Sequence, residues 1–355
     1  MTTNIKSRTA NSGHALATVL TITFLQEINR QKINNIKKIL SSLLILALLA
    51  SCNTPSVKKF TEINEGTITN LYDAFGKDRK GLKQDFGFSC VVNYKGKLIL
   101  FDSGTDAKIF EKNLKALKID LRKIDIAVVS HGHYDHIGGF DYLLSVNPKV
   151  KIYLPNDFFS LGAPVKFPFR ETEPEIAKTL PKEEQYFRGE RVVEGMITMP
   201  TGRFWKSNVE YLTEAKEVFP GVTLIPTTSK LMGTFIKYPP FEDNPQFIGM
   251  PELSASFATD KGEIIISGCS HSTIETIIQE AIKIRKEKIY LVVGGFHLIP
   301  YSRNYIEGLA KRMHDEYGVE SVAPAHCTGH LGFSVFHKVF GDNYRFFGLG
   351  ETISY

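Results

Sequence analysis

The stretch "SHGHYDHIGG", Ser130 to Gly139, places His131, His133, Asp135 and His136 within six positions. Imidazole and carboxylate groups are the usual ligands of zinc and similar divalent cations. The run "IDIAVVS" before it reads as a short apolar strand, and alternate residues of an extended chain point the same way. His131 and His133 can therefore face one cation together. Asp135 and His136, past the turn, can face a second cation a few ångströms away. Paired cations of this kind lower the pKa of a shared water and polarise the bond it attacks. The chemistry expected is hydrolysis. No GxSxG nucleophile motif is present in the chain, so metal-activated water is the expected nucleophile.

More ligand-type residues occur in the same local setting. His271 follows the run "EIIISGC", His297 follows "LVVGG" and His326 follows "SVAPA". Each lies at the C-terminal end of an apolar, strand-like run. Strand ends on one edge of a sheet converge in space, so residues far apart in sequence can build one site. Cys269 and Cys327 stand beside two of these histidines, in "GCSH" and "AHCTG". After Cys52 three cysteines remain, Cys90, Cys269 and Cys327. An odd number cannot make a full disulfide set, and a metal site suits their placement better.

The elements that must position these residues alternate strand and helix. "GFSCVVNYKGKLILFDSG" gives two β-rich runs joined by "YKGK". "DAKIFEKNLKALKI" has helical spacing, with Ile109, Leu114, Leu117 and Ile119 as its apolar set. "DYLLSV" reads as a helix and "VKIYLP" as a strand. Beyond Met250, "SASFATDKGEIIISGCSH" gives two strands and "TIETIIQEAIKIRK" a helix whose apolar set is Ile274, Ile277, Ile278, Ala281 and Ile284. A buried strand "KIYLVVGGFHLIP", a helix "YIEGLAKRMHDEYG" and a final strand "VESVAPAHCTGH" follow. Between residues 156 and 250 the pattern weakens into Pro- and aromatic-rich chain, read as an insertion that forms a lid or binding wall. Its Phe167, Phe169, Phe204, Trp205, Tyr238 and Phe241 are candidate stacking groups. Arg170 and Arg203, with Arg303 further on, are candidate anion clamps. A flat, phosphorylated or carboxylated small molecule would suit such a wall.

"HGHYDH" resembles the HxHxDH signature of the metallo-β-lactamase superfamily, and the likeness covers about residues 68–350. "LILFDSG" is similar to the upstream strand of that family that ends in an Asp, here Asp102. "GCSH", "GGFHL" and "AHCTG" resemble one branch, the dihydropterin ribofuranosylaminobenzene-phosphate synthases. The resemblance implies an α/β fold, an αββα sandwich with a two-metal site at one sheet edge. It also implies that His131, His133 and His271 bind one metal and Asp135, His136 and His326 the other. Asp102 would orient ligands from behind. Cys269 stands where many members carry a bridging Asp, and Glu252, in "PELSASF", lies in the neighbourhood of another expected ligand. Glu252, Cys269 and His271 are thus alternatives for completing the first site. Two divalent ions are expected, zinc first, with iron and manganese compatible with the same donors. Besides a hydrolase, a pterin-type synthase and a non-catalytic metal-binding envelope protein are the competing functions.

The N-terminal region carries a different signal. "NIKKILSSLLILALLASC" sets Lys37 and Lys38 before an apolar run, Ile39 to Leu49, of signal-peptide length. Leu49-Ala50-Ser51-Cys52 resembles a bacterial lipobox, which implies acylation of Cys52 and anchoring to a membrane. Residues 1–51 are then a targeting segment, 52–67 a tether and 68–355 the folded domain. The expected place is the bacterial cell envelope, and the expected partners are that membrane and a small-molecule substrate. The formal charge is +5, yet without residues 1–51 the chain holds 37 basic and 37 acidic residues. That balance gives no electrostatic reason to expect nucleic-acid binding.

Overall fold

The computed structural model describes residues 65–156, 167–169, 171–191, 195–197, 204, 207–227 and 251–355, together with six residues near the N-terminus. Residues 1–59 form one compact unit and residues 60–355 another. Of the first, Glu27, Arg30–Ile33 and Lys37 are described, all helical and exposed. The rest concerns the second unit.

Its strands in chain order are β1 (Thr67–Tyr72), β2 (Ser89–Tyr94), β3 (Lys97–Phe101), β4 (Ile126–Val128), β5 (Lys151–Pro155), β6 (Phe167–Phe169), β7 (Gly195–Ile197), β8 (Val209–Leu212), β9 (Lys216–Phe219), β10 (Val222–Thr227), β11 (Glu252–Thr259), β12 (Gly262–Ser267), β13 (Ile289–Gly295), β14 (Ser321–Ala325) and β15 (Thr352–Ser354). They form a first sheet ordered β15-β1-β2-β3-β4-β5-β8 and a second ordered β14-β13-β12-β11-β10-β9, with β6 and β7 pairing by themselves. The α-helices are α1 (Ala107–Leu117), α2 (Tyr134–Ile137), α3 (Phe140–Val146), α4 (Ile274–Arg285), α5 (Arg303–Lys311) and α6 (Gly329–Phe340).

Alternation along the strands builds the layers. In β3, Ile99 and Phe101 turn inward to meet Leu224, Ile264 and Ile266 of the second sheet, forming the core between the sheets. Leu100 turns outward into a second core with Phe110 and Leu114 of α1 and Phe140 of α3. In β12, Ile265 turns outward against Ile277, Ile278 and Ala281 of α4 and Phe336 of α6. The result is an αββα sandwich. Helix α1 starts where the Asp106 carboxylate accepts the Lys108 and Ile109 N–H groups and ends at Lys118 in the left-handed region.

Some expectations change. Phe110, Asn113 and Leu114 are the buried residues of α1, while Ile109 and Leu117 are only partly covered. Ile284 of α4 is exposed. The weakly patterned region is not all insertion: β8 pairs in parallel with β5, and β10 pairs with β11, so residues 209–227 belong to the scaffold. Short, partly exposed strands such as β8 and β9 show little alternation to read. Strand β1 and helix α6 are further elements beyond the sequence expectations; β1 is buried along its whole length, yet its Thr67, Thr69 and Asn70 are polar, so its composition does not announce a buried strand.

Candidate metal centre

The sheets deliver the candidate ligands by one device. β3 and β4 run parallel, as do β12, β13 and β14. Asp102 follows β3, Ser130–His136 follow β4, Cys269 and His271 follow β12, His297 follows β13 and His326 follows β14. Three of these residues, Asp102 (φ 55°), His297 (φ 53°) and His326 (φ 48°), and Ser270 (φ 58°) between Cys269 and His271, hold left-handed backbone without being glycine or asparagine. Such conformations are costly and gather at functional sites.

Two buried groups result. In the first, His131 Nε2 lies 2.8 Å from His133 Nδ1, and the His271 ring centre is 4.5 Å from those of both His131 and His133. In the second, His136 Nε2 and His326 Nε2 are 3.2 Å apart, with Asp135 Oδ2 3.3 Å from the latter and 3.8 Å from the former. The His131 and His136 ring centres lie 4.2 Å apart and link the groups. Ligand atoms within each trio are all within 4.8 Å of one another.

The surroundings fix which ring nitrogen faces inward. Asp102 Oδ2 accepts from His136 Nδ1 at 2.7 Å and from Ser130 Oγ at 2.6 Å. Its Oδ1 accepts the Ser130 N–H at 2.7 Å. Since the Ser130 hydroxyl donates to Asp102, it accepts from His131 Nδ1 at 2.8 Å. Both Nδ1 atoms therefore carry the proton, and both Nε2 atoms turn a lone pair to the centre. Residue 268 has to be glycine, because a methyl group there would overlap Ser130 Oγ and Asp102 Oδ2.

This arrangement fits divalent metal. Asp135 Oδ1 and His326 Nδ1 are buried with no hydrogen-bond partner, a costly state that a cation relieves. Burial and neighbouring imidazoles hold His131 and His271 well below the ordinary histidine range. Burial pulls His133 down to about 3. These rings are kept neutral, the form that ligates. Burial works against ionised Asp135, but the His136 and His326 rings outweigh it and keep the carboxyl below the usual range.

The other candidates fall elsewhere. Glu252 is not in either trio. Its Oε2 accepts the His271 N–H at 2.9 Å and its Oε1 the Ser272 N–H at 2.6 Å, so it holds the loop that carries His271. Burial pushes its pKa up to about 7, against the pull of those N–H groups. Cys269 lies within ligand range of His131 and His136, and also of His297 and Cys327. Arg303 pairs with Glu173 at 2.9 Å and Glu307 at 3.7 Å, so its charge is already matched by carboxylates. Phe204 packs on Phe140 in the core outside the first sheet, ring centres 5.3 Å apart, and is no stacking wall. Arg170, Arg203, Trp205, Tyr238 and Phe241 lie outside the described residues, as do the side chains of Phe167 and Phe169.

Sequence reasoning missed several contributors. Ser130 links Asp102 to His131, and a hydroxyl next to the first histidine is the signal the sequence carries for it. Asp73 accepts the His326 N–H at 3.2 Å and pins that left-handed residue; nothing in "NLYDAF" marks it. Glu171 and Tyr186 fix the start of α6: His330 Nδ1 donates to Glu171 Oε2 at 2.9 Å, and His330 Nε2 accepts the Tyr186 N–H at 3.0 Å.

The family model of the metallo-beta-lactamase superfamily matches residues 82–228. Over 314 residues the chain is 31% identical to the 7,8-dihydropterin-6-methyl-4-(beta-D-ribofuranosyl)-aminobenzene-5'-phosphate synthase of Methanocaldococcus jannaschii, spanning 82% of this chain and 99% of that protein. The chain belongs to the metallo-β-lactamase superfamily. It lies in the branch of the superfamily that includes this synthase. An uncharacterized protein of the same archaeon is 26% identical over 282 residues, 75% of this chain and 92% of its own length. The crystal structure of Tm1679, a metal-dependent hydrolase of the β-lactamase superfamily, superposes with a TM-score of 0.59 at 24% identity, over 81% of this chain and 98% of that one. That likeness concerns the metallo-β-lactamase fold alone.

Proposed function

We propose that this protein is a metal-dependent hydrolase that cleaves an ester, phosphoester or related bond in a small anionic substrate. The observation that carries the reading is the meeting of two buried trios, His131/His133/His271 and Asp135/His136/His326, at one edge of the sandwich. Each trio would hold one divalent cation, zinc in the first instance. Held there, two cations would supply a water whose pKa is lowered toward neutrality and would polarise the bond under attack. The chain supplies the rest. Asp102 and Ser130 keep protons on the Nδ1 atoms of His136 and His131. Glu252 holds the His271 loop and Asp73 the His326 backbone. Phe86, its ring 4.7 Å from that of His326, keeps water off one flank.

A second reading is a synthase or transferase, favoured by the 31% identity to the Methanocaldococcus enzyme named above. That relative's name contains a dihydropterin, an aminobenzene and a 5'-phosphate, which agrees in class with an anionic, flat substrate. Turnover in ¹⁸O-water separates the readings. Solvent oxygen in the product is expected; its absence, with a group joined to a second substrate, would establish the synthase. Metal-loaded protein that turns over nothing in a broad ester and phosphoester panel would instead favour a metal-binding role without catalysis.

We propose further that the protein is exported and held to an envelope membrane through acylated Cys52. The order of charge, apolar run, small residues and cysteine supports this. Residues 38–64 lie outside the described residues. Among the described residues no helix is long and apolar enough to cross a membrane.

A further inference from the structure

Behind the His271 loop lies a group that the hydrolytic reading does not use. Cys269 Sγ is 3.1 Å from His297 Nδ1 and 2.9 Å from Cys327 Sγ. The three residues are buried, at 3%, 7% and 1% exposure, and their ligand atoms lie within 4.8 Å of one another. They come from the ends of three neighbouring parallel strands, β12, β13 and β14. Three soft or borderline donors thus converge where chance packing would place apolar side chains. Two details show that the fold is built to bring them together. His297 holds left-handed backbone, φ 53°. Residue 295 has no side chain, and a methyl group there would crowd Cys327 Sγ and the Gly268 carbonyl.

We propose that Cys269, His297 and Cys327 bind a third, thiophilic cation beside the His/Asp centre. Two thiolates and an imidazole select zinc or a soft cation over magnesium or calcium. Three protein donors leave a fourth coordination position, the pattern of zinc sites that act on a ligand. On binding Zn²⁺, each cysteine forms one Zn–S bond and releases one proton. Cys269 Sγ also lies within 4.8 Å of the ligand atoms of His131 and His136, so one sulfur faces both sites. The claim stands whether the reaction is hydrolysis or synthesis.

The test is metal stoichiometry of the full chain. Protein purified under reductant is loaded with Zn²⁺, dialysed, and measured by elemental analysis and native mass spectrometry. A parallel sample is loaded with Co²⁺ and read for thiolate-to-cobalt charge-transfer absorption. Wild type is expected to hold three equivalents and show that absorption. Cys327→Ser and His297→Ala are expected to hold two, with the absorption weakened in Cys327→Ser. His131→Ala, which tests the His/Asp centre instead, is expected to lose zinc and keep the absorption. Wild type saturating at two equivalents would overturn the proposal, as would three equivalents without thiolate absorption. Three equivalents in Cys327→Ser, or a Cys269–Cys327 disulfide in the loaded protein, would overturn it too. If the variants fail to fold, the wild-type stoichiometry and spectrum still decide.

Discussion

Asp102 Oδ2 and His136 Nδ1 lie 2.7 Å apart, though 34 residues separate them in sequence. The same carboxylate reaches His131 through Ser130, so one buried group sets the tautomer of a ligand in each trio. Asp102→Asn would present an amide that cannot accept from all three donors. Metal affinity is expected to fall about 10- to 100-fold, measured by competition with a chromophoric chelator. Unchanged affinity would mean that the rings orient themselves.

His131→Ala, Asp135→Ala and His326→Ala should each lower metal content and cut activity by about 100-fold or more. Far-UV circular dichroism should stay unchanged, because the cores are built from other residues. If metal content is the same in all three variants, the ions bind elsewhere.

Much of the centre could be read before folding because its residues sit next to apolar runs in the chain. His131–His136, His271 and His326 each follow a strand whose hydrophobicity is plain. Asp73 and Glu252 act by accepting backbone N–H groups from segments distant in sequence, and no spacing rule announces that. Cys327 could be seen beside His326, but its pairing with Cys269 and His297 depends on β12, β13 and β14 lying side by side. Strands β8 and β9 are hidden for a simpler reason: short, partly exposed strands carry little alternation, whereas β10 is almost wholly buried and carries Pro226, which argues against a strand in the sequence.

Glu252 offers a pH signature in metal-free protein. Its carboxyl moves from an ordinary 4.5 up to about 7 on burial. A raised acid favours the folded state at low pH, and that contribution is lost as pH rises from about 4.5 through about 7. It amounts to on the order of 3 kcal/mol. Buried neutral histidines slope the other way, so the comparison must be between proteins. Relative to Glu252→Gln, wild type should lose stability between pH 5 and pH 8, read from urea midpoints. Parallel pH profiles for the two proteins would contradict the assignment.

Cys52→Ala should leave the protein in the soluble fraction or unprocessed, because the acyl chains would be gone. Fractionation and intact mass check this. Wild-type protein that is soluble without detergent and still carries residues 1–51 would argue against a lipid anchor.

The two trios draw their members from both sheets. His131 and His136 follow β4 of the first, while His271 and His326 follow β12 and β14 of the second. A bound ion would therefore be a cross-link between halves that otherwise meet through an apolar core and a few hydrogen bonds such as that from the His326 N–H to Asp73. Separating the sheets dismantles both trios at once, so ion release should keep pace with global opening and not with fraying of a loop. If the chain is exported as proposed, to a compartment where no chaperone powered by ATP refolds it, metal supply would then set how long each molecule lasts as well as how fast it works.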